Sequence, residues 1–201
     1  MKHLSFTDES FRRLLRGDKS ETQRLVHPQP GPGMVCATNG DRTWLHERAR
    51  PIEESVILCR LRVGDVVAAT EAYAVLLPPD PVTLYRADWR RTGPTMWQRS
   101  VEGIEEWWAG QWKSARYMPA RLARIHLRIL EVDARRLQAM DDADAVNEGC
   151  TGSPIMTPLE QYASEWDEIN RRAPWASNPW VWRFSFERLT TTPRLPVRSR
   201  S

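Results

Sequence analysis

Apolar residues recur at helical spacing near the start of the chain, where Phe11, Leu14 and Leu15 fall at i, i+3 and i+4 behind Asp8 and Glu9. Carboxylates in a first turn face the positive end of the helix macrodipole, and Thr7 offers an N-cap oxygen. Gly17 stands where a left-handed residue ends a helix. The pattern therefore predicts a helix closing at Gly17, with a short strand over Leu4 to Phe6 before it. Further on, Ile125, Leu127 and Ile129 alternate with His126 and Arg128, and Trp182, Phe184 and Phe186 alternate with Arg183, Ser185 and Glu187. A period of two marks strands buried on one face. Asp141 to Glu148 reads as a short helix closed by Gly149. Thr157-Pro158-Leu159-Glu160 is a capping box with proline at N1, continued at helical spacing by Tyr162, Ala163, Trp166 and Ile169.

Elsewhere the periodicity is weaker. Residues from Pro28 to about Arg60 read as loop, because His27-Pro28-Gln29-Pro30-Gly31-Pro32-Gly33 suits neither a helix nor an inner strand. Gly64-Asp65 predicts a turn, and Val66 to Val75 a single buried strand ended by Pro78, Pro79 and Pro81. Residues 78 to 117 carry Trp89, Trp97, Trp107, Trp108 and Trp112 among many charges, and read as an irregular insertion with a helical piece over Val101 to Trp112. Strands at both ends and in the middle, with helices between, predict an α+β fold built on a barrel. Residues 1 to 189 form one domain in this reading, and 190 to 201 a disordered basic tail.

Composition narrows the class. The 201 residues are 41% hydrophobic and 27% charged, ordinary values for a soluble globular protein. Three cysteines without close spacing argue against a disulfide framework or a zinc knuckle. No apolar leader and no stretch long enough to span a bilayer are visible, so the expected setting is cytoplasmic, with no membrane partner. The net charge is +3. It is distributed as two arginine-rich clusters, one of Arg12, Arg13, Arg16, Lys19 and Arg24, the other of Arg116, Arg121, Arg124 and Arg128. Brought together they would form a basic rim suited to phosphates, and apart they are two solvated charged faces.

The stretch Gly17-Asp18-Lys19-Ser20-Glu21-Thr22-Gln23-Arg24 contains Gly-x-Lys-x-x-Thr-x-Arg. It resembles the opening signature of ASCH-domain proteins, relatives of the PUA family of RNA-binding modules. Ala145-Val146-Asn147-Glu148-Gly149 is similar to the later helix end of that family. Tyr117-Met118-Pro119-Ala120-Arg121-Leu122-Ala123-Arg124-Ile125, Leu58-Cys59-Arg60 before Gly64-Asp65-Val66, and Asn178-Pro179-Trp180-Val181-Trp182 resemble further segments of the phage or prophage type. The resemblance covers most of residues 1 to 189. It implies a PUA-like (ASCH) β-barrel with flanking helices, to which this chain adds a Trp-rich insertion. One segment departs. Phage-type relatives carry an aromatic residue and an arginine just before the glutamate, whereas this chain reads Val66-Val67-Ala68-Ala69-Thr70-Glu71. Glu71 is kept and the neighbouring cation is not.

The resemblance implies a pocket for RNA or a modified nucleoside, with Arg24, Glu71, Arg121 and Arg124 as binding residues. Some members of the superfamily are small bacterial amidohydrolases that remove the acetyl group of N4-acetylcytidine. By position their catalytic set falls on Lys19, Thr22 and Glu148. A threonine hydroxyl becomes nucleophilic when a base takes its proton, and a lysine serves as that base once its proton affinity is depressed by burial or by a cation such as Arg24. Glu148, in a last helical turn, opposes the macrodipole, a placement that suits a general acid as well as a partner for an arginine. No cofactor is implied. His46-Glu47 begins like a zinc-protease motif, but Arg50 stands where the second histidine belongs, so no metal is expected. Three readings stay open: binding of RNA or a nucleoside, amidohydrolysis, and a protein-docking role in phage morphogenesis or host interaction. The last requires an exposed patch containing several of Trp89, Trp97, Trp107 and Trp108.

Overall fold

The structure, a computed structural model, describes residues 1–48, 55–76 and 81–190. Arg50, Pro78, Pro79 and the tail from residue 191 lie outside the described residues. In chain order the elements are β1 (Lys2–Ser5), α1 (Asp8–Arg16), β2 (Glu21–Leu25), β3 (Met34–Asn39), β4 (Arg42–Glu47), β5 (Ile57–Leu58), β6 (Val66–Thr70), β7 (Tyr73–Leu76), β8 (Val82–Tyr85), β9 (Arg90–Arg91), β10 (Trp97–Val101), β11 (Ile104–Trp108), β12 (Ile125–Arg136), α2 (Asp142–Asn147), α3 (Pro158–Ile169) and β13 (Trp180–Leu189). This is a mixed α+β protein, and among the described residues no sheet closes into a barrel. None of the described helices is long and apolar enough to cross a membrane.

The chain divides into two compact units. The first comprises Met1–Arg12, Val66–Leu127 and Arg188–Ser201. Here β1 runs parallel to β6 with Leu4 opposite Ala69, and β7 pairs antiparallel with β8. Leu84, Ala74 and Trp89 are buried beneath Trp97, Trp108 and Trp112. The second unit comprises Arg13–Asp65 and Arg128–Glu187. In it β2 pairs antiparallel with β13, placing Thr22 opposite Phe184 and Gln23 opposite Arg183. Its core is Leu137, Met140, Ala145, Cys150, Tyr162, Trp166 and Val181, packed between α2, α3 and the strand face that carries Val181.

The periodic segments fold as their patterns predict. Both helix ends that matter for the site close in the same way. At α1 the Gly17 N–H reaches the Leu14 carbonyl and the Asp18 N–H the Arg13 carbonyl. At α2 the Gly149 N–H reaches Val146 and the Cys150 N–H reaches Ala145. This paired closure needs a left-handed residue at the turn, and Gly17 and Gly149 take φ of +87° and +88°.

Three expectations from sequence are corrected. Residues 34–47 are a hairpin, not loop: β3 and β4 pair from Met34–Glu47 to Asn39–Arg42 around Gly40-Asp41. The apolar run from Val66 is two strands, because the chain turns at Glu71-Ala72 between β6 and β7. Val101 to Trp112 holds no helix. β10 and β11 pair through Val101–Ile104, with Glu102 and Gly103 both at positive φ, the geometry of a tight two-residue hairpin turn. Mixed charges and adjacent tryptophans hid a period of two whose cross-strand pairs, Trp97 with Trp108 and Arg99 with Glu106, only pairing makes visible.

The two glycine closures differ in their surroundings. A Cβ at Gly17 meets nothing within 4 Å, whereas one at Gly149 lies 2.7 Å from Arg13 Cδ and 3.1 Å from its Cβ. Gly17→Ala should therefore cost the left-handed penalty alone, about 1–2 kcal/mol. Gly149→Ala should cost roughly twice that, since the Arg13 stem must also move. Equal losses of stability in urea unfolding would exclude the Arg13 contact as a constraint.

Candidate functional site

Lys19 and Glu148 come together in the second unit. β2 uses the N–H groups of one edge for β13, leaving the Gln23 N–H to face the other edge. The end of α2 docks there. The Ser20 N–H donates to Asn147 O at 2.8 Å, and the Gln23 N–H to Glu148 Oε1 at 2.6 Å. Lys19 Nζ donates to the Glu148 backbone carbonyl at 3.1 Å and forms an ion pair with its Oε2. Tyr162, on α3, completes the set with its hydroxyl 3.4 Å from Oε1. Both charged side chains are nearly inaccessible, at 1% for Lys19 and 6% for Glu148.

The arrangement answers why a carboxylate ends a helix. Lys19 places its cation at the negative end of α2, takes up a carbonyl that the helix leaves unpaired, and neutralises Glu148. Burial drives the Lys19 proton affinity below its ordinary value, Arg24 and Arg13 push the same way, and Glu148 opposes them. Burial raises the Tyr162 phenol well above its usual range and Glu148 adds to this, so the hydroxyl stays a donor. Arg24 lies within the field of Glu148 and Tyr162. Behind them Arg13 is bidentate to Glu165, at 2.8 and 2.6 Å.

Thr22 is buried beside this cluster but is not joined to it. Successive strand residues point to opposite faces, so Thr22 shares a face with Arg24 and Phe184 while Gln23 shares one with Leu25 and Val181. No hydrogen bond links Lys19 to Thr22 among the described residues, because Lys19 is spent on Glu148. The sequence does not mark Gln23, Tyr162 or Glu165 as site residues. Tyr162 was legible only as a core position of a helix, and nothing in the sequence marks Gln23 apart from its neighbours.

Glu71 and Arg124 meet in the first unit, which corrects the absence of a cation read from sequence. Arg124 grips both oxygens of Glu71, at 2.8 and 3.1 Å, and both of Asp88, at 2.9 and 2.7 Å. Its guanidinium lies 4.4 Å from the Tyr85 ring centroid and 5.3 Å from that of Phe11. The cation thus comes from a residue 53 positions later. One guanidinium cannot neutralise two carboxylates, and Glu71 is the one wholly withdrawn from water. Burial accordingly pushes its carboxyl up to about 7, against the pull of Arg124. Arg121 is exposed on a short 3-10 turn and makes no ion pair among the described residues.

A groove of about 740 Å³ in the first unit is lined in part by Arg12, Trp89, Arg90, Arg91, Trp97 and Arg99. It holds neither Glu71 nor Arg124, and much of its charge is already matched. Arg12 donates to the carbonyls of Ala87 and Trp89, and Arg99 pairs with Glu106. The tryptophans mainly pack on one another: Trp112 sits 5.6 Å from Trp97, 5.8 Å from Trp108 and 6.2 Å from Trp89. Trp107 is the exposed one of the set, at 56%. The described residues include no group of three or more histidine, cysteine or acidic side chains placed to hold a metal.

Two predictions follow from burial. Removing either Lys19 or Glu148 leaves its partner as an uncompensated buried charge, so each alanine variant should lose about 3–5 kcal/mol in urea unfolding. Lys19→Met combined with Glu148→Leu should be close to neutral; a double variant as unstable as the two singles summed would mean that the two residues contribute independently, with no coupling between them. For Glu71, the folded carboxyl holds its proton up to about 7 while the unfolded one releases it near 4.5. Its contribution is then fully present below the lower value and lost as pH rises through the upper. Wild type should lose stability relative to Glu71→Gln across that window, and parallel pH profiles would mean that Glu71 is ionised throughout. Searched against family models, curated proteins and solved structures, the chain matches none.

Proposed function

We propose that this chain is a PUA-like ASCH protein of phage or prophage type that binds RNA or a modified nucleoside at the cluster of Lys19, Thr22, Arg24 and Glu148. The observation that carries the reading is the buried Lys19–Glu148 pair. Two residues 129 apart, each at a position picked out by the ASCH resemblance, meet where both must be desolvated. Stability alone gives little reason for such a pair, because well-packed apolar residues do as well or better. A ligand supplies the reason: a preorganised cation, carboxylate and phenol offer both donors and acceptors to a polar heterocycle without first being stripped of water. Within the first unit, Arg124 is clamped between Glu71 and Asp88 and Arg121 is exposed.

A second reading, amidohydrolysis of an N4-acylated cytidine, is favoured by the burial of Lys19, 1% exposed beside Glu148, since burial lowers the proton affinity of an amine. In that reading the Lys19 proton first passes to Glu148, leaving a neutral amine beside a carboxylic acid. Lys19 then takes the proton of the Thr22 hydroxyl, Thr22 Oγ adds to the acyl carbon, and Glu148 delivers the proton it received to the departing N4 amine. Water then hydrolyses the threonyl ester, releasing the acid and restoring the hydroxyl. Since Lys19 is held by Glu148, ligand binding must first turn its amine toward Thr22.

The two readings separate in one set of assays with N4-acetylcytidine. Catalysis predicts acetate release that falls about 10²–10⁴-fold in Thr22→Val, Lys19→Ala and Glu148→Ala, each checked for folding by circular dichroism. Binding alone predicts no acetate, a measurable Kd by calorimetry and loss of that affinity in Lys19→Ala. Neither acetate nor binding, to this nucleoside or to RNA, would remove the proposal.

A further inference from the structure

Beside the Lys19–Glu148 pair, the Gln23 carboxamide has no hydrogen-bond partner among the described residues. The Gln23 backbone N–H holds Glu148 Oε1, yet the carboxamide is buried with both Nε2 and Oε1 unpartnered, and the whole residue is 3% exposed. The neighbours on either side show that the site can satisfy polar groups. Lys19, Glu148 and Tyr162 bond to one another, and Glu21 is taken by Arg183, which also reaches Glu131 at 3.2 Å. A buried donor and a buried acceptor left open on one side chain are costly, and a leucine or methionine of similar size would avoid the cost.

We infer that the Gln23 carboxamide is a specificity-determining contact for the ligand proposed above, reading a base edge on which an acceptor lies beside an N–H donor. The inference rests on the nucleoside-binding reading and adds to it the part of the ligand that is recognised. A carboxamide offers one acceptor and a donor side by side, so it is satisfied at once by an amide or amidine edge, such as the ring nitrogen and exocyclic amine of a cytosine-type base. A phosphate, which only accepts, would leave Gln23 Oε1 unpaired. The ligand end nearest Gln23 is therefore the neutral heterocycle, and it arrives beside the Glu148 carboxylate, whose Oε1 the Gln23 backbone already positions.

The test is calorimetric titration of the full chain with cytidine and with 3-deazacytidine, which keeps the shape and the exocyclic amine but lacks the ring acceptor. Wild type should bind cytidine at least about tenfold more tightly, the cost of leaving a buried amide donor unpaired. In Gln23→Leu that ratio should collapse to about one, while Tm of the unliganded protein rises by about 2–8 °C as two unpartnered polar atoms disappear. Equal affinity of wild type for both nucleosides, or a ratio kept in Gln23→Leu, overturns the role of Gln23 and leaves nucleoside binding standing. Failure of wild type to bind any nucleoside takes both down. Should Gln23→Leu not fold, Gln23→Met replaces it. The wild-type carboxamide signals, followed by NMR, then give a second readout. Their displacement by cytidine but not by 3-deazacytidine supports the contact, and their indifference to both overturns it.

Discussion

Two opposite charges removed from water are the constraint around which the second unit is arranged. Desolvating an ammonium and a carboxylate costs several kcal/mol for each ion, and their attraction offsets this only when the remaining donors and acceptors are also met. Here they are. Lys19 gives hydrogens to a carboxylate and a carbonyl, and Glu148 receives them from an ammonium, a peptide N–H and a phenol. Three elements of the unit supply its parts: the edge of β2, the end of α2 and a face of α3. A cluster assembled this way is held in one arrangement by its own hydrogen bonds.

The pair depends on two glycine turns. Lys19 stands two residues beyond Gly17 and Glu148 one residue before Gly149, and each glycine ends its helix by the same pair of backbone hydrogen bonds. Because the left-handed turn fixes where the chain leaves the helix, it also fixes where the neighbouring side chain points. At Gly149 the absent Cβ does a second thing, leaving room for the Arg13 stem, whose head is held by Glu165. The helix ends therefore orient the charges, and the packing around them keeps water away.

The first unit shows the same logic with a different outcome. Glu71 is fully buried at the break between β6 and β7, and its cation arrives as Arg124, which lies over the rings of Tyr85 and Phe11 and is shared with Asp88. Sharing halves the compensation, so the buried carboxylate yields to desolvation and takes up a proton more readily than usual. Lys19 and Glu148 form a closed pair. The Glu71 cluster is a short-handed one, poised to titrate near neutral pH.

The sequence by itself determined the elements whose periodicity is clean. The cap at Thr157, the glycine closures after α1 and α2, and the alternation in β12 and β13 are local facts, written in residues that touch one another in the chain. It also marked Lys19, Thr22 and Glu148, by resemblance, as residues to watch. Tertiary structure decided what they do. That Lys19 is held by Glu148 and not by Thr22 depends on the end of α2 meeting the edge of β2. The guanidinium beside Glu71 comes from 53 residues away, where no local pattern could reveal it. The hairpins of β3–β4 and β10–β11 became legible only when cross-strand partners supplied the alternation that charges and tryptophans had masked. Gln23, between two residues of the motif, is silent in sequence because an unpartnered amide exists only once everything around it has been placed.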